Sequence, residues 1–132
     1  SSYTEEDMEK LGLLQNIQKP ELLNLIDNRS PALVIVNCDQ FSTVHWPHTD
    51  SRPPRDVLLY YANLDWKTEW AGETLFWDKL YKKIIFTSPY VPGRMVLFGG
   101  GVPHSIRPQT FLGPSFRFTL SIFFQRNADA KA

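Results

Sequence analysis

The chain has 132 residues, 42% of them hydrophobic and 14% aromatic, enough apolar material to bury one core and too much for a disordered segment. Fourteen Lys+Arg balance fourteen Asp+Glu, so no basic excess points to nucleic acid or an anionic membrane as a partner. The single cysteine, Cys38, excludes an internal disulfide framework and a CxxC zinc site and favours a reducing, cytoplasmic setting, and no apolar run is long enough for a membrane span or a signal peptide.

The first elements read as helical. Thr4 and Asp7 form a capping box, with Glu5 and Glu6 beside the positive end of the helix dipole, and Met8, Leu11, Leu14 and Ile17 then recur as on one buried helix face. Pro20 fits the first position of a second short helix carrying Leu22, Leu23 and Ile26.

After Pro31 the texture becomes that of strands. Ala32–Cys38, Phe41–Trp46, Asp56–Ala62, Glu73–Trp77, Lys82–Thr87, Arg94–Phe98, Val102–Ile106 and Ser115–Phe124 are short and rich in β-branched or aromatic residues. Turn residues separate them, among them Arg52–Pro53–Pro54, Pro92–Gly93 and Gly99–Gly100–Gly101. The last of these could be taken for a phosphate loop, but no helix follows it, so it reads as a tight turn. Mainly β structure behind N-terminal helices predicts a jelly roll, a double-stranded β-helix, in a single domain over 1–132, with a helical lead-in at 1–30 and the core at 31–126.

Two of the three histidines sit where they could share a metal ion. His48 and Asp50 are two positions apart, so in an extended strand both side chains point to the same side. His104 lies several strands later, and a jelly roll can bring such strands together. Two histidines and a carboxylate form the facial triad that holds Fe(II) while leaving coordination positions open. His45 reads as a supporting residue. On the last strand Arg117, Thr119, Ser121 and Phe123 share one face, a polar wall opposite the apolar face of Phe118, Leu120, Ile122 and Phe124.

From His48 to Phe124 the order of motifs resembles the prolyl-4-hydroxylase-like branch of the Fe(II)/2-oxoglutarate-dependent dioxygenases: HTD at 48–50, LYYANLDW at 59–66, AGETLF at 71–76, PGRMVLF at 92–98, PHSIRP at 103–108 and RFTLSIFF at 117–124. The resemblance implies that His48, Asp50 and His104 bind the iron. Arg117 then meets the far carboxylate of 2-oxoglutarate, where a guanidinium can form a bidentate pair. Thr119 joins it on the pocket wall, and Tyr61, rather than its neighbour Tyr60, contacts the cosubstrate. Arg107 is expected at the mouth, facing substrate or solvent, while Trp66, Trp70, Phe76 and Trp77 are expected to pack. Fewer residues precede His48 than family members usually carry, so a shortened supporting sheet is expected.

The implied activity is hydroxylation of an unactivated C–H bond by molecular oxygen, with 2-oxoglutarate leaving as succinate and carbon dioxide and ascorbate as an optional reductant. The substrate expected is a prolyl or other protein side chain, or a small molecule. The loops at 51–56 and 109–115 are placed to choose between them. Two readings compete: a cupin-like metal enzyme without 2-oxoglutarate, and a non-catalytic jelly-roll binding module.

Overall fold

The computed structural model describes residues 2–3, 29–50 and 55–126, so most of the helical lead-in expected at 1–30 lies outside the described residues, and the described parts of it, Ser2–Tyr3 and Arg29–Ser30, are strand. Among the described residues, nine strands form two antiparallel sheets: β1 (Ser2–Tyr3), β2 (Arg29–Gln40), β3 (His45–His48), β4 (Arg55–Tyr61), β5 (Thr74–Trp77), β6 (Ile84–Ser88), β7 (Met95–Gly99), β8 (His104–Ile106) and β9 (Phe116–Arg126). The larger sheet runs β1-β2-β9-β4-β7 and the smaller β3-β8-β5-β6. Each of the eight expected strands has a counterpart in β2 to β9, and this arrangement of two sheets is that of a jelly roll. The pairing of Ser2 and Tyr3 with Ile35 and Val34 was not read from the sequence.

The strand expected at Phe41–Trp46 starts later. Thr43 N–H donates to the Gln40 carbonyl and the Gln40 N–H donates to Thr43 Oγ1, closing a turn in which Ser42 has a positive φ of 69°. The β propensity of Phe41 and Val44 yields to this local turn chemistry, and both side chains are exposed.

The period of two sorts residues between the faces of the larger sheet. On one face Val34, Leu58, Ile122 and Phe124 form a buried cluster, with Leu97 and Leu120 against it. On the other, Leu59 and Tyr61 pack with Tyr90, Trp66, Val96 and Phe98. That inner face also carries the row Arg117, Thr119, Ser121 and Phe123, read as one wall from the sequence. Its β2 neighbours in register are Asp39, Asn37, Ile35 and Leu33, and on β4 Tyr61, Leu59 and Val57 lie opposite Thr119, Ser121 and Phe123.

Phe124 has no solvent exposure, so Phe124→Ala is expected to cost about 3–5 kcal/mol, read as a lower denaturant midpoint at unchanged slope. Phe118→Ala, on the same strand face but exposed, should cost less than about 1 kcal/mol in the same measurement.

Candidate functional site

The sheet register brings the three metal-ligating candidates together. His48, the last residue of β3, lies opposite His104, the first of β8, and their ring centroids are 4.5 Å apart. Asp50 is not on an extended strand, as the HxD spacing had implied. It follows the end of β3, and its N–H donates to the Gly100 carbonyl at 2.7 Å. The three-glycine segment is therefore a turn, and one of its carbonyls sets Asp50 between the histidines.

Side-chain distances are short. Asp50 Oδ2 is 3.1 Å from His104 Nε2, Asp50 Oδ1 is 3.6 Å from His48 Nε2, and one ligand atom from each residue lies within 4.8 Å of the others. The Nδ1 atoms face backbone carbonyls, His48 that of Trp46 at 2.8 Å and His104 that of Val102 at 2.9 Å. A carbonyl only accepts, so Nδ1 is the donor in both rings and Nε2 is the nitrogen turned toward the Asp50 carboxylate. Lone pairs and an anionic oxygen at such distances repel unless a proton or a cation lies among them. Orientation of a histidine ligand by a carbonyl on its other nitrogen is how proteins prepare a metal site. Phe98 packs edge-on against the His104 ring at 4.8 Å and holds that side dry, while His48 is half exposed.

A cavity of about 180 Å³ joins this group to Arg117; His48, Asp50 and His104 line it, as do Thr74, Thr119 and His45. Arg117 is fully buried. Its Nε donates to the Gly72 carbonyl at 2.9 Å and one terminal nitrogen pairs with Asp39 Oδ2 at 3.2 Å. The other terminal nitrogen has no hydrogen-bond partner among the described residues. Burial pushes the Arg117 pKa down and the Asp39 charge pulls it back, and a guanidinium stays charged near neutrality in any case. The single Nε–H is used by the Gly72 carbonyl and one terminal nitrogen meets Asp39, leaving the other N–H₂ group without a protein partner among the described residues.

Gly72 shows how closely the backbone comes to this charge. Its φ is +79°, and a Cβ there would lie 2.9 Å from Trp66 Cζ2 and 3.2 Å from Arg117 Nε. The preceding Ala71 also has a positive φ, 59°.

Of the tyrosines, Tyr61 is buried. Its hydroxyl donates to Thr74 Oγ1 at 2.8 Å and lies 3.0 Å from Ser88 Oγ. It does not line the cavity, and its path there runs through Thr74. Its ring stacks on Tyr90, and the Arg117 guanidinium lies over both, 5.8 Å from Tyr61 and 4.9 Å from Tyr90. Burial raises the Tyr90 pKa, keeping its hydroxyl protonated to donate to the Phe118 carbonyl. Thr119 lines the cavity and accepts from Asn37 Nδ2 at 3.3 Å.

Arg107 lies at the surface in an ion pair with Glu73 at 3.1 Å. Trp66 and Trp77 pack with their indole N–H groups satisfied by the Ala71 carbonyl and Ser105 Oγ. Cys38 is exposed. His45 supports the site through Asp39, 2.6 Å from its Nε2. Asp39 was missed from sequence. The signal was present, because Asp39 continues the inward row of Ile35 and Asn37, opposite Arg117.

No family sequence profile and no curated protein sequence matches the chain. Solved structures do match in fold. A prolyl-4-hydroxylase from Pseudomonas putida aligns with TM-score 0.66 and 17% identity over 95% of this chain and 68% of that one. A prolyl hydroxylase from Trichoplax adhaerens, in complex with a hypoxia inducible factor oxygen degradation domain peptide fragment, gives 0.64 and 17% over 92% and 57%. A 2OG-Fe(II) oxygenase-family oxidoreductase from Burkholderia pseudomallei gives 0.64 and 12% over 92% and 61%. The chain thus spans less than two thirds of two of these three structures and has the fold of 2-oxoglutarate/Fe(II) oxygenases. Among the described residues no helix is long and apolar enough to cross a membrane.

Because a Cβ at Gly72 meets both an indole and the buried guanidinium in a left-handed backbone, Gly72→Ala is expected to destabilise the protein by about 1–3 kcal/mol in chemical denaturation. Gly93→Ala, with the same φ but open space around it, should show only the backbone part of that loss, about 1 kcal/mol.

Proposed function

We propose that this chain is an Fe(II)- and 2-oxoglutarate-dependent oxygenase that hydroxylates an unactivated C–H bond, its 31–126 core forming the oxygenase domain. One observation carries the reading. A single cavity is lined both by the three residues whose ligand atoms converge and by Arg117, a buried cation with an unused N–H₂ group. A metal-chelating acid with a second carboxylate matches both features.

His48, Asp50 and His104 would hold the iron. Their donor set, two imidazole nitrogens and one carboxylate, suits Fe(II) and leaves positions open. Arg117 would receive the far carboxylate of 2-oxoglutarate through its free N–H₂, with the Thr119 hydroxyl beside it and Tyr61 acting through Thr74. Iron with 2-oxoglutarate supplies oxygen activation, the cosubstrate leaving as succinate and carbon dioxide while a hydroxyl is placed on the substrate. The chain's own part is orientation and exclusion of water. The Trp46 and Val102 carbonyls aim the imidazoles, the Gly100 carbonyl seats Asp50, and Phe98 and Phe76 wall the His104 side. Substrate approaches past His48, the exposed member of the triad. The peptide bound to the Trichoplax structure supports a protein side chain, prolyl among the candidates, as the substrate.

A cupin-like metal enzyme without 2-oxoglutarate is the second reading, favoured by Asp39 already neutralising Arg117. Anaerobic titration with Fe(II) and then 2-oxoglutarate, followed by the weak visible charge-transfer band of the chelate, separates the two. The band is expected in the native chain and absent in His104→Ala. In Arg117→Ala it should need about 10-fold to 100-fold more 2-oxoglutarate, the loss of a charged hydrogen bond. Metal binding with no band at any concentration would favour the second reading.

A further inference from the structure

Arg117 does not stand alone. Asp39 lies directly across from it in the β2–β9 register and takes one of its terminal nitrogens. The other oxygen of Asp39 is 2.6 Å from His45 Nε2. The three side chains form one chain running from the buried guanidinium to an imidazole about one third exposed. Buried ion pairs are costly unless their geometry is good and their remaining polar atoms are satisfied. This one leaves an N–H₂ group of Arg117 unsatisfied and holds a carboxylate against the same guanidinium.

We propose that Asp39 and His45 are positioning residues that set how strongly Arg117 holds an anion, with the proton on His45 as the control. With His45 neutral, the Asp39–Arg117 pair carries no net charge, and the charge of Asp39 offsets that of Arg117 toward an incoming carboxylate. With His45 protonated, Asp39 is shared between two cations, the group gains one positive charge, and Arg117 is released toward the ligand. By linkage the anion in turn favours the protonated imidazole, so binding takes up a proton. The identity of the ligand rests on the cofactor reading above; the charge relay does not.

Among the described residues, Tyr81 and Arg107 line the outer groove beside His45, and further charged groups lie toward the inner cavity. Arg117 is on β9, over the phenols of Tyr61 and Tyr90. His104 is on the neighbouring β8, and His48 and Asp50 line the other end of the same cavity. Arg107 is held by Glu73. Protonation at the metal end weakens chelation and so acts in the opposite direction. It acts equally on any 2-oxo acid, whether or not the acid carries a far carboxylate.

Calorimetric titration of the Mn(II)-loaded chain with 2-oxoglutarate and with 2-oxobutyrate, which lacks the far carboxylate, isolates the Arg117 end as the ratio of their dissociation constants. In the native chain the preference for 2-oxoglutarate should grow at least about fivefold between about pH 8 and about pH 6. In His45→Gln, which keeps an N–H for Asp39 but gains no charge, it should stay at the native value of the higher pH throughout. In Asp39→Asn, which keeps an oxygen for Arg117, it should be raised and no longer follow pH. A native preference that does not change with pH, or a change that survives in His45→Gln, overturns the relay and leaves the cofactor reading intact. No preference for 2-oxoglutarate in any variant at either pH overturns both.

Discussion

The desolvation of one guanidinium organises the inner face of the larger sheet. A charge removed from water must recover its lost hydration from partners, and Arg117 has no solvent exposure. A carboxylate from β2, a carbonyl from the Ala71–Gly72 turn and the faces of two stacked tyrosines surround it. The positive φ values of Ala71 and Gly72 fall in the same turn whose Gly72 carbonyl accepts from Nε. What these groups do not satisfy is the second terminal nitrogen, and it is the unsatisfied remainder that makes this buried charge read as part of a binding site.

The end formed by His48, Asp50 and His104 is built differently. Its three side chains are aimed mainly by backbone carbonyls, which cost no side-chain entropy to hold in place. Two of them, Val102 and Gly100, come from the one turn between β7 and β8. The antiparallel register sets His48 across from His104, and aromatic packing on one side against exposure on the other gives the group a dry back and an open front. A rigid scaffold with one accessible side is what oriented chemistry at a metal requires.

Particular residues show how far reading the chain alone could go. The inward row Arg117, Thr119, Ser121 and Phe123 was legible because a strand's period of two does not depend on its neighbours. The HTD and PHSIRP motifs and the Gly-rich turn were legible as an ordered set. Phe41 and Val44 misled, because β propensity describes a fit to a pleated, half-buried surface, and a Thr43 side chain closing a turn overrides it. Asp50 was expected on an extended strand, but it lies past the end of β3, where its N–H bonds to the Gly100 carbonyl.

Sequence alone determined the class of structure, a β-rich jelly roll, and singled out the candidate groups: two histidines and an aspartate, and an arginine on a polar strand face. These are properties of residue type and short-range period. Only the tertiary structure decided how those groups are used. It placed Asp39 against Arg117, brought the Gly72 carbonyl to Nε of the guanidinium and turned Tyr61 toward Thr74. Those outcomes depend on register between strands far apart in the chain and on which buried charges must find partners, and neither is written in any local stretch of sequence.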